Sequence, residues 1–190
     1  MTVADLYDFD KTVFRGESGC EFYLFCLRKN PGIIRFFPGQ LWYVIRYFLF
    51  KSIPMAVMKE KIYCFLPAID GERMAELFWE KNAGRMCDWF RPAENDVQTV
   101  ICSASPEFQI KPICDRLGVH RIVATDIDVR TGKISGKNCK GDEKVKRLAE
   151  RLPEYEFRDA YSDNLRSDAG MLSLAKRNRY RVKDGKLFKI

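Results

Sequence analysis

Apolar positions along the chain follow two periods. Val3 to Phe9 is a short run, Val-Ala-Asp-Leu-Tyr-Asp-Phe, that ends in acids and Thr12 and then reaches Gly16. It reads as a buried strand whose carboxyl end opens into a loop. From Glu17 to Lys29 the period lengthens, with Cys20, Tyr23, Leu24 and Leu27 on one helical face until Asn30-Pro31-Gly32 stops it. Gln40 to Lys51, apolar almost all round, and Pro54 to Leu66 predict a second and a third helix. Asp70-Gly71 breaks the chain before a fourth, expected from about Glu72 to Phe90 and running past Gly84.

Strands return after this helical block. Val97 to Cys102 predicts a second buried strand that ends at Ser103, and Arg121 to Asp126 a third. Phe157 to Ser162 predicts a fourth, followed by a loop at Asp163. Helices are expected at Glu107–Leu117, Gly141–Leu152 and Ala169–Arg177, a small hairpin across Val129–Lys137, and a terminal strand pair around Asp184-Gly185. Strands alternating with helices imply an α/β fold with a parallel sheet and right-handed crossovers. Residues 17–85 read as a helical insertion after the first strand. Ligands of such sheets bind outside the carboxyl ends of the strands, where Asp8 and Asp10, Ser103 and Asp163 all fall.

Composition narrows the class. With 190 residues, 46% of them hydrophobic, the chain can build one ordinary core with a modest insertion. The net charge of +7 attracts anionic partners and is unevenly placed. Phe22 to Met58 carries five cations, ten aromatics and no acid, and Lys176 to Ile190 carries seven cations against Asp184. Seven cysteines without a Cys-x-x-Cys pair argue against a secreted disulfide framework or a zinc ribbon and for reduced thiols in the cytoplasm. His120 is the one histidine, which excludes a histidine-rich metal site and leaves a Ser-His-Asp triad only if His120 serves it. The N-terminus has no secretory signal pattern, and Arg35, Pro38, Gly39, Gln40 and Arg46 interrupt the most apolar stretch, so no spanning helix is expected.

Asp8-Phe9-Asp10-Lys11-Thr12 places two carboxylates on one face of an extended backbone. Two such anions repel, and a hard divalent cation with oxygen ligands, such as magnesium, would relieve them. Ser103, before Ala104-Ser105-Pro106 and a helix start, offers a hydroxyl and backbone N–H groups to a phosphate. The same serine serves equally as a helix cap. Asp163 and Asp168 stand at another strand end, and Lys140 and Lys144 flank a helix start; each alone is an ordinary loop acid or solvated lysine.

The order of these elements resembles the haloacid dehalogenase-like (HAD) superfamily in all four of its motifs. Asp-Phe-Asp-Lys-Thr, Ile-Cys-Ser-Ala-Ser-Pro-Glu-Phe and Asn-Cys-Lys-Gly-Asp-Glu-Lys-Val look like its phosphoserine-phosphatase-like subfamily IB, across Val3 to about Leu172. That resemblance implies a Rossmann-like core with a parallel sheet flanked by helices, from residues 1–16 and 86–190. It implies a small all-helical cap of the C1 type, residues 17–85. It further implies Asp8 as nucleophile, Asp10 as acid and then base, and Mg2+ held by Asp8, the Asp10 carbonyl and Asp163, with Asp168 supporting the shell. Ser103, Ala104 and one lysine, Lys144 in preference to Lys140, would hold phosphate. Glu17 matches the acid that phosphoserine phosphatases direct at the substrate amine. Two departures stand out: Asp163 and Asp168 are five residues apart where phosphoserine phosphatases usually have four, and phosphoserine phosphatases place the lysine just before the helix glycine, like Lys140, where Lys144 follows it; the basic, aromatic insert is also unlike a serine-binding cap.

The expectation is a magnesium-dependent phosphate-monoester hydrolase acting on a small phosphorylated metabolite in the cytoplasm. Two alternatives remain at this level. One is a phosphotransferase using the same intermediate. The other is a basic module binding anionic lipid or nucleic acid without catalysis. No nucleic-acid motif is present, weak contact with anionic surfaces stays open, and the physiological substrate and oligomeric state are not legible.

Overall fold

The structure, a computed structural model, describes residues 1–94 and 96–190. Among the described residues six strands form one sheet in the order β3-β2-β1-β4-β5-β6, where β1 is Thr2–Tyr7, β2 Gln98–Pro106, β3 Arg121–Thr125, β4 Tyr155–Ser162, β5 Asn178–Lys183 and β6 Lys186–Lys189. All neighbours pair in parallel except β5 and β6, the terminal pair anticipated around Asp184-Gly185. The helices are α1 Ser18–Lys29, α2 Phe37–Phe48, α3 Met55–Ile62, α4 Gly71–Asn82, α5 Glu107–Arg116, α6 Asp142–Arg151 and α7 Ala169–Ser173.

Period-two alternation along β1 feeds two apolar layers. Ala4 and Leu6 join Val100, Leu148, Phe157 and Met171 on one face. Tyr7, with Phe9 beyond the strand end, joins Ile101, Ile110, Phe22 and Trp79 on the other. Asp5 is buried within this central strand because Arg158 reaches it at 2.7 Å; an unpaired charge there would be costly.

The helical segment does not behave as one unit. α1 and α4 extend the sheet's own core. The Trp79 ring meets Phe9 and Phe14 edge-on at 5.7 and 5.0 Å, and its indole N–H donates to the Gln109 carbonyl at 2.6 Å. α2 and α3, by contrast, bury only Gln40 and Met58 respectively. The chain leaves the sheet and returns to it at one place: Phe14 bridges Met86, and the Cys87 N–H donates to the Val13 carbonyl at 2.8 Å.

Several expected boundaries move. The fourth helix stops at Asn82, not Phe90, and a short 3-10 turn leads to Met86. Met86 must be extended to pair with Phe14, and Arg85 is held outside the helix by Glu21 and the Arg15 carbonyl. α2 starts at Phe37, because Pro38 in the first turn lacks only an N–H that has no helical partner there. β2 continues past Ser103 to Pro106. α7 has five residues, because the Lys176 and Arg177 N–H groups are drawn to the β4 carbonyls of Phe157 and Arg158, both at 2.9 Å. The Val129–Lys137 segment is a turn with a single bridge, Ile127 to Ile134, and not a ladder. Its Gly132 has φ 71°, and a Cβ there would lie 2.4 Å from the Tyr63 carbonyl oxygen.

Candidate active site

Just past β1 the chain turns sharply. The Phe9 carbonyl accepts the N–H groups of Thr12, Val13 and Phe14, and Lys11 takes a left-handed conformation with φ 56°. Asp8 and Asp10 thereby line one polar cavity of about 180 Å³ at the carboxyl ends of β1, β2 and β4. Ser103, Ala104, Lys140, Lys144, Asp163 and Asp168 line it too, as do Glu17 and Lys11.

Lys144 is at its centre. Its side chain is 2% exposed, and its ammonium donates to Asp8 Oδ1 at 2.6 Å and Asp168 Oδ2 at 3.0 Å. Gly141, at φ 59° and ψ −129°, begins α6 in a conformation open to glycine alone and sets Lys144 on the helix's first turn. Burial would lower this lysine, but the Asp8 and Asp168 charges outweigh it and hold the ammonium above its ordinary range. Burial pushes the Asp8 carboxyl up; Lys144 pulls it back and Asp168 adds to the push. Asp168 also accepts the Ser162 hydroxyl at 2.7 Å, which fixes its carboxylate against the lysine. Asp163 lies half-buried with its side chain toward the cavity, and burial together with Asp8 and Asp168 raises it to about 6.

Asp10 is held from two sides, by the Ser18 N–H at 2.8 Å and the Ser105 hydroxyl at 2.5 Å. Burial raises it to about 6, against those two hydrogen bonds. Ser103 is not at a strand end. Its hydroxyl accepts the Ser105 N–H at 3.0 Å, where β2 breaks register with β3, and the helix that follows begins only at Glu107. Glu17 is exposed and ion-paired with Lys11.

Four residues with positions in or beside the site went unassigned in the sequence. Thr12 donates to Asp8 Oδ2 at 3.2 Å and accepts the Asp163 N–H at 3.0 Å, tying two loops together. Ser18 and Ser105 orient Asp10. Lys59 crosses from α3 to donate to the Ala104 carbonyl and to Asn138 Oδ1, both at 2.6 Å. Ser105 was open to discovery through period-two spacing from Ser103; no local signal marked Lys59. His120 precedes β3, at the opposite end of that strand from the cavity, so it cannot serve Ser103.

Among the described residues no three acidic, histidine or cysteine side chains converge into a ready metal cluster. Magnesium needs less: it keeps several waters and is commonly held by one or two carboxylates. Asp8 and Asp163 on one cavity, with Asp8 and Asp168 sharing the buried Lys144, fit that donor set.

Residues 6–173 match the haloacid dehalogenase-like hydrolases, and the chain belongs to that family. Three solved structures share its fold. A protein of unknown function from Bordetella pertussis Tohama I is 21% identical, with 86% of this chain and 82% of that one covered and a TM-score of 0.69. A phosphoserine phosphohydrolase-like protein from Francisella tularensis is 17% identical, with 94% and 86% covered and a TM-score of 0.56. A HAD family hydrolase from Salmonella enterica serovar Typhi is 14% identical, with 91% and 60% covered and a TM-score of 0.54. Comparison with curated proteins found no match.

Proposed function

We propose that this hydrolase is a magnesium-dependent phosphatase that cleaves phosphate monoesters through an aspartyl phosphate on Asp8. The observation that carries the reading is the convergence of Asp8, Asp10, Lys144 and Asp163 on one cavity at the strand ends. An Asp8 carboxylate oxygen attacks phosphorus as the ester P–O bond breaks, dividing one displacement into two. Asp10, as the acid, gives its proton to the departing alkoxide. As the base it then takes a proton from the water that attacks the acyl phosphate, and inorganic phosphate leaves with Asp8 restored. Ser18 and Ser105 hold Asp10 in line for both transfers. Lys144 neutralises charge on the transferring group, and Asp168 positions it.

Magnesium would be held by Asp8, the Asp10 carbonyl and Asp163, and when bound it offsets charge on the phosphoryl oxygens. Residues 17–85 act as the cap, with α2 and α3 as its projecting part. Seven unpaired cysteines support a reducing, cytoplasmic setting.

The test is Asp8→Asn. Phosphate release from p-nitrophenyl phosphate with magnesium should fall at least about 100-fold, and retention of more than about a tenth of the rate would sink the aspartyl-phosphate route. Magnesium with beryllium fluoride should raise the melting temperature of wild type by mass action. Asp163→Ala should lose that rise; equal rises in both proteins would remove Asp163 from the metal site.

A further inference from the structure

A second cavity, of about 590 Å³, opens from the polar one, and the two share Asp10, Glu17, Ala104 and Lys140 in their walls. Most of its remaining wall is built by three helices, each presenting one stripe, and Lys59, Tyr63, Ser105, Pro106 and Asn138 complete it. Cys20, Tyr23 and Leu24 come from α1, Phe37, Leu41 and Val44 from α2, and Met55, Met58 and Ile62 from α3. Those spacings, three, four and seven residues apart, are the spacings of an apolar helical face. Such a face ordinarily packs into a core. Here it lines a void, and Leu24 and Leu41 remain 48% and 44% exposed.

Most polar groups on this wall are already engaged: the Lys59 ammonium donates to the Ala104 carbonyl and Asn138 Oδ1, both at 2.6 Å, while Lys140, in the wall shared with the polar cavity, is exposed. The Tyr23 hydroxyl donates to Gln40 Oε1 at 2.7 Å, Gln40 Nε2 donates to the Ile62 carbonyl at 2.8 Å, and the Tyr63 hydroxyl donates to Gln109 Oε1 at 2.8 Å. Glu17 is held by Lys11. A leaving group rich in hydroxyls or amines would have to give up water without finding partners there, a costly exchange. An apolar one would lose only water it binds poorly.

We propose that the substrate is a phosphomonoester of an alcohol bearing an extended alkyl or aryl part, the phosphoryl group lying in the polar cavity against Asp8 and Lys144 and the apolar part lying in the α1–α2–α3 cavity. This rests on the phosphatase reading for the position of the phosphoryl group. Asp10 stands in the wall common to both cavities, where the bridging ester oxygen would pass from one to the other, and that is the atom it must protonate.

Binding and turnover are separable. Ethyl-, butyl-, hexyl- and octylphosphonate cannot be hydrolysed, so their dissociation constants with magnesium present report the cavity alone. Each methylene that enters should tighten binding roughly threefold, giving at least about thirtyfold between ethyl and hexyl. The matching alkyl phosphates should show the same rise in kcat/KM. Val44→Trp, which fills the cavity, should flatten both series; because the wild-type series stands alone, a misfolded variant would not spare the proposal. Dissociation constants that do not change with chain length, with alkyl phosphates still hydrolysed, would overturn the apolar-alcohol class and leave the phosphatase intact. Chain-length-dependent phosphonate binding without hydrolysis of any ester would overturn the phosphatase reading instead. Phosphatidylcholine vesicles carrying phosphatidic acid locate the source of the ester. Phosphate release from them places it in a lipid, release confined to soluble alkyl phosphates places it in solution, and either supports the class.

Discussion

Two lysines, Lys144 on α6 and Lys59 on α3, reach toward the same end of the sheet and meet opposite environments. Lys144 lies between the Asp8 and Asp168 carboxylates, and its charge is held in place. Lys59 finds the neutral oxygens of Ala104 and Asn138, and burial lowers it to about 8 despite the distant Asp10 charge. The sheet end is thus a place where charge is paired and concentrated, and the α2–α3 side one where even a cation is disfavoured. The two adjoining cavities divide in the same way, one acidic and small, the other apolar and large.

The contrast between Trp79 on α4 and Trp42 on α2 should produce the largest difference in stability. Trp79 is fully buried among Phe9, Phe14 and Phe78, and Trp79→Ala should lower unfolding free energy by about 4 kcal/mol. Urea denaturation measures this, and a loss under about 1 kcal/mol would mean that α4 is not part of the sheet's core. Lys144→Met strands two buried carboxylates and should cost about 3 kcal/mol. A variant as stable as wild type would show that Asp8 and Asp168 need no cation between them.

Lys59 supplies a pH test. Its folded value lies below the ordinary lysine value, so the unfolded chain binds the extra proton between about pH 8 and 10.5. Its destabilising contribution is therefore fully present below about 8 and fades as pH rises through that window. Lys59→Met should be more stable than wild type at pH 7.5 by about 2 kcal/mol, and the gap should narrow by pH 10. A gap that does not change with pH would mean that Lys59 holds its proton as tightly in the folded chain as in the unfolded one. The smallest effect is expected at Trp42, which is 54% exposed on α2. Trp42→Ser should shift stability by no more than about 0.5 kcal/mol, and a loss like that at Trp79 would place α2 in a continuous core with α4.

Much of this architecture was legible in the order of residues. Period-two and helical runs located all six strands and the helical insertion, because burial on one face imposes its period on the sequence. Asp8, Asp10, Ser103 and Asp163 were legible as a set because a parallel sheet gathers the ends of its strands on one side, and Lys144 joined them through the family resemblance. Each of them now lines a single cavity. Tertiary contact decided the rest. Helix α4 ends where Met86 must pair with Phe14, 72 positions away in the chain. Asp168 turns to Lys144 and Ser162 because those groups arrive from other elements. Ser18 and Ser105 meet at Asp10 although 87 residues separate them. The apolar face of α1 was visible in the sequence, α2 read as apolar almost all round, and sequence periodicity reports only that a face is apolar. Whether that face meets a core, as on α4, or encloses a cavity, as on α2, depends on where neighbouring helices lie. That is set by the packing of the whole chain and leaves no local mark on the residues themselves.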